Sequence, residues 1–135
     1  MTTIVVGTDT SPAADLAVDD AARLARDRGA ELVILYVGSG DGLRSVVDPA
    51  RAADPGRHLA AMEARYPELR VHTRMEEGDP AETICDVAEQ ERAETIVVGN
   101  RGTHGSWWRV RDSVPNLVLR YAPCSVYIAD TRRAQ

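Results

Sequence analysis

The chain has 135 residues, enough for one domain with a sizeable core, and its 44% hydrophobic content excludes wholesale disorder. A net charge of −5 and a pI near 5.2 argue against nucleic acid or an anionic membrane as partner. All 16 basic residues are Arg and none is Lys, which excludes a Walker-type phosphate loop and a Schiff-base lysine.

The N-terminus, MTTIVVGTD, has no basic region and only a short apolar run, so it reads as a strand rather than a signal peptide. No apolar run approaches the ~18 residues of a membrane span, and a cytoplasmic location is expected. Thr2 to Thr8 forms the predicted first strand. Ser11-Pro12 opens a helix, Ser as N-cap and Pro at the first helical position, and Gly29 closes it. Glu31 to Val37 is a fully apolar strand. Residues 38–57 combine many turn formers with little periodicity, and a mobile loop over the cleft is expected there. Asp48 to Tyr66 turns helical late in its length. Leu69 to Met75 alternates as a strand, and its polar alternate positions suggest a sheet edge.

Gly78-Asp79-Pro80-Ala81-Glu82 is a strong helix start with a capping box, and that helix is expected to end near Arg92. Thr95 to Val98 is a buried strand, Val114 to Tyr121 a helix, and Ser125 to Ala129 a last buried strand. Alternation of apolar strands with amphipathic helices predicts an α/β fold, a doubly wound, open parallel five-stranded sheet of Rossmann-like type, helices on both faces. The strands ending at Gly7 and Gly99 would flank the switch point, which favours the order 3-2-1-4-5 and puts a ligand beyond the carboxyl ends there.

A buried strand, a turn with Gly99, Gly102 and Gly105, and a helix start present backbone N–H groups suited to a phosphate. This stretch resembles the signature of the universal stress protein family, G-x-x-G-x9-G-[ST], with Gly99, Gly102 and Ser113 on the pattern and Asp112 at the third glycine. The likeness runs the length of the chain, through VVGTD, ELVILYV, EEGDPAETI, ETIVVGNRG and APCSVYIAD. It implies one domain over 1–135, a cytoplasmic stress-response protein that binds and senses rather than catalyses. It also implies a cleft for ATP or another adenine nucleotide, and a homodimer formed through the last strand. Asp9 would lie near the adenine and Val37 beside the base; Val98, Arg101 and Val114 complete the candidate set. By residue type alone, Asp9 reads equally well as a cap for the helix that Ser11 begins.

Asp112 decides the ligand chemistry. Its carboxylate carries an anion to the place where a phosphate would meet glycine, a repulsion of about 4 kcal/mol at ~4 Å and an effective dielectric of 20. Pro115 removes a further N–H donor from the same helix start. Arg101, Arg109 and Arg111 could offset the charge, or Asp112 could hold Mg²⁺ bridging to the ligand. ATP-type binding is therefore expected to be weakened or lost, with an AMP or cyclic AMP binder, or an interaction module without nucleotide, as alternatives. Thr10 stands where the family often has Gly. Trp107 and Trp108 pack in the turn, mark a partner patch or stack on a base. Cys85 and Cys124 read as free, buried thiols. No metal-ligand spacing and no nucleophile–base set is readable, so no enzyme site is assigned.

Overall fold

The computed structural model describes residues 2–38, 54–100 and 114–131. Five strands, β1 (Thr3–Thr8), β2 (Glu31–Gly38), β3 (Val71–Glu77), β4 (Thr95–Gly99) and β5 (Ser125–Ala129), alternate with four helices. The helices are α1 (Pro12–Arg28), α2 (Pro55–Ala64), α3 (Pro80–Gln90) and α4 (Val114–Tyr121). All strand pairs are parallel and the sheet order is β3-β2-β1-β4-β5, the doubly wound arrangement expected from the sequence.

The period-2 geometry of strands sends alternate residues to opposite faces. Ile4, Val6, Leu32, Ile34 and Val97 pack beneath α1 and α2. Val5, Val33, Leu35, Ile96 and Val98 pack beneath α3 and α4. Every residue of β1 is buried, because it lies mid-sheet with helices over both faces. Gly7 makes room for α3: a Cβ there would come within 2.9 Å of Ile84 Cδ1.

Helix starts follow one local rule. Ser11, Asp54 and Asp79 each accept a backbone N–H of the first turn, and each is followed by Pro. The Asp54-Pro55 pair was legible in the same way as Asp79-Pro80, so the expected loop over 38–57 needs correction at both ends. Gly38 belongs to β2 and residues from Pro55 belong to α2; residues 39–53, with Asp48, lie outside the described residues. The third strand runs two residues later than expected, and the third helix stops at Gln90, before Arg92 takes a positive φ of 53°.

β3 and β5 are the two sheet margins. On β3, Arg74 ties Glu76, Glu91 and Gln90 together at 2.9 to 3.0 Å. On β5, Tyr127 and Ile128 are exposed, as are Leu119 and Tyr121 of α4.

Truncating Leu32 to Ala, at a fully buried mid-sheet position, should cost about 2–5 kcal/mol in equilibrium urea unfolding. Leu119→Ala, at a side chain 55% exposed, should stay within about 0.5 kcal/mol.

Candidate functional site

The site is built where β1 and β4 part, since the chain leaves their carboxyl ends toward opposite faces of the sheet. Beyond β1 the backbone must turn sharply into α1, and short polar side chains close that turn. Thr10 N–H donates to Thr8 Oγ1 at 3.0 Å, and Ser11 N–H donates to Asp9 Oδ1 at 2.9 Å. Ser11 Oγ in turn accepts from Ala14 N–H at 3.1 Å. Thr10 has φ 68°, in the left-handed region where glycine costs least, so the family's usual glycine and this threonine meet the same backbone demand.

Asp9 thus serves the turn through one oxygen only. Its Oδ2 is buried and has no hydrogen-bond partner among the described residues. An unmatched buried carboxylate oxygen is costly, and a donor arriving with a ligand would remove that cost. The sequence left Asp9 open between capping and ligand contact; Oδ1 closes the turn onto Ser11, the residue that caps α1, and Oδ2 is buried without a partner among the described residues.

Val37, Val98 and Val114 fall in one core cluster beneath α3 and α4, all buried. They sit near the carboxyl ends of β2 and β4 and at the start of α4. Gly99 ends β4 on the other face, where a Cβ would come within 2.9 Å of Thr131 Cγ2 and 3.8 Å of Ala17 Cβ. Packing alone therefore requires glycine at 99. Arg101, Gly102, Asp112 and Ser113 lie outside the described residues, as do Arg109, Arg111, Trp107 and Trp108.

Asn100 was missed in the sequence. Its N–H donates to Ala129 O at 2.9 Å, and its Oδ1 accepts from both Thr131 N–H at 3.0 Å and Thr131 Oγ1 at 3.1 Å. This clamp fixes the exit of β4 against the exit of β5. The signal available beforehand was a lone Asn after a strand, which is too common to single out.

The histidines had been given no role, yet His58 Nε2 meets Asp15 Oδ1 at 2.8 Å, joining the first turns of α2 and α1. Burial holds the Asp15 carboxyl above its ordinary range, against the opposing pull of His58. Nearby, the Tyr66 hydroxyl donates to Asp19, and burial followed by that contact pushes the phenol upward. Cys85 is buried, Cys124 partly so, and both are free thiols raised mainly by burial. Among the described residues, no helix is long and apolar enough to cross a membrane.

A doubly wound parallel sheet in the order β3-β2-β1-β4-β5 defines an α/β protein of the Rossmann-like class. The chain belongs to the universal stress protein family, whose family model matches residues 1–130. A universal stress protein of Mycolicibacterium smegmatis is 32% identical over 96% of this chain and 46% of its own length. One from Methanocaldococcus jannaschii is 27% identical over 93% of this chain and 79% of its own. The chain thus spans about half the length of the mycobacterial relative. A universal stress protein solved in complex with cAMP superposes with a TM-score of 0.77, at 28% identity, covering 96% of this chain and 97% of that one. UspA from Lactobacillus plantarum gives 0.72 at 29% identity, over 94% and 96%.

Replacing Asn100 with Ala should remove both hydrogen bonds that it accepts from Thr131 and cost about 1–3 kcal/mol, with faster hydrogen exchange at the Thr131 amide. Unchanged exchange would assign the clamp no stabilising role.

Proposed function

We propose that this chain is a binding and sensing protein for an adenine nucleotide, held at the parting of β1 and β4, and that it performs no catalysis. The buried, unmatched Oδ2 of Asp9 is the observation that carries the reading. It offers an acceptor to the donors of adenine or ribose at the place where an open α/β sheet takes its ligand. Val37, Val98 and Val114, buried in one core cluster, would give that place its apolar backing. Gly99, Gly102, Ser113 and Arg101 are the residues assigned to the phosphates in this reading. The cAMP complex of a relative 28% identical supports the ligand class.

Asp112 sets the preference within that class. Each further phosphate charge brought near its carboxylate raises the repulsion, so cyclic AMP and AMP should bind ahead of ATP. Mg²⁺ or the arginines of the same segment would narrow the gap. Calorimetric titration of ATP, AMP and cyclic AMP, each with and without Mg²⁺, tests the reading; no heat from any of them removes the nucleotide. Asp112→Gly should raise ATP affinity by about one to three decades. Asp9→Asn, which leaves the turn's shape, should weaken all three ligands alike.

The same reading makes the protein a cytoplasmic homodimer joined through β5. Its exposed Tyr127 and Ile128 lie on an unpaired strand margin, a surface suited to antiparallel pairing with a second copy. Tyr127→Arg should shift sedimentation from dimer to monomer without unfolding. An unaltered dimer would place the interface elsewhere.

A further inference from the structure

In the turn between β1 and α1, side-chain oxygens of Thr8, Asp9 and Ser11 each accept a backbone N–H, from Thr10, Ser11 and Ala14 in that order. Thr10 makes no such contribution. It is half-buried, and its hydroxyl has no hydrogen-bond partner among the described residues. Yet Thr10 carries the strain of the turn: its φ of 68° is left-handed, where a branched Cβ is strongly disfavoured. Glycine would hold the same backbone without that cost.

Arg92 is the other non-glycine residue with a positive φ among the described residues, and it has a reason in the fold. It lies just past the cap of α3, where a left-handed residue ends a helix, and its Cβ is unbranched. Thr10 has no such reason. Strain kept where the fold does not need it points to a functional position. Thr10 also adjoins Asp9, whose Oδ2 is buried without a partner among the described residues. With Oδ1 engaged in the turn, one free oxygen cannot take both vicinal hydroxyls of a ribose. An acceptor beside a hydroxyl donor instead complements a ligand edge that sets a donor next to an acceptor. Adenine has that edge, its 6-amino group lying beside ring nitrogens N1 and N7. Guanine and hypoxanthine carry a carbonyl oxygen at position 6, which would meet the carboxylate acceptor to acceptor.

We infer that Thr10 is a specificity-determining residue of the nucleotide site, its hydroxyl donating to a ring nitrogen of adenine while Asp9 Oδ2 accepts from the 6-amino group. This role deepens the nucleotide reading and rests on it. A 6-oxo purine leaves the Asp9 oxygen unmatched, so the pair rejects it. Glycine at position 10 would leave the turn intact and the recognition incomplete.

Cyclic AMP and cyclic IMP share ribose and phosphate and differ only along the edge at position 6, so their comparison cancels any effect of Asp112. In calorimetry the unaltered protein should bind cyclic AMP about tenfold more tightly than cyclic IMP. Thr10→Gly and Thr10→Val should each weaken cyclic AMP about five- to tenfold and narrow the gap between the two ligands. Thr10→Ser, which keeps the hydroxyl, should keep the preference. Thr10→Gly should also melt at a higher temperature than the unaltered protein, so its lost affinity cannot come from unfolding. Four results would overturn the inference and leave the nucleotide reading standing: cyclic IMP bound as tightly as cyclic AMP by the unaltered protein, unchanged cyclic AMP affinity in Thr10→Gly, equal loss of both ligands, or a lower melting temperature. An unaltered protein that binds neither ligand removes the nucleotide reading, and the role of Thr10 with it.

Discussion

Complete burial of β1 is the constraint on which the rest depends. A parallel strand mid-sheet cannot meet water on either face, so its crossovers must lay helices on both. Those crossovers then diverge at its carboxyl end, and the backbone just past it has no neighbouring strand to satisfy it. Thr8, Asp9 and Ser11 meet that demand with their own side chains. The parting of β1 and β4 is therefore a by-product of covering the core, and the Oδ2 of Asp9, without a partner among the described residues, is what the turn leaves over.

The fold was legible because its strongest signals are local and repeated. Runs such as ELVILYV can only be strands buried on both faces, and Ser-Pro or Asp-Pro pairs mark where helices begin. The same Asp-Pro signal at Asp54 was obscured by its turn-rich neighbourhood, so the loop before α2 was drawn too long. The register of β3 slipped by two because a half-polar margin has no continuous apolar run to pin its ends.

The site was legible only in part. Asp9 could be placed at the turn from its position after an apolar strand, but its split between one satisfied and one unsatisfied oxygen is a three-dimensional fact. Val37, Val98 and Val114 looked like ordinary core, and in packing they are core; their grouping on one face needs the sheet order. The pairings of Asn100 with Thr131 and His58 with Asp15 join residues 31 and 43 positions apart, and no local pattern announces them.

The two sheet margins are unlike. β3 is dressed with Arg74 and Glu76, charges that a neighbouring strand would have to strip of water, whereas β5 shows tyrosine and isoleucine. Copies joined at β5 would thus expose only guarded flanks, and growth by strand addition would halt at a pair. The guanidinium network of Arg74 is the kind of charged strand margin that discourages addition of a further strand.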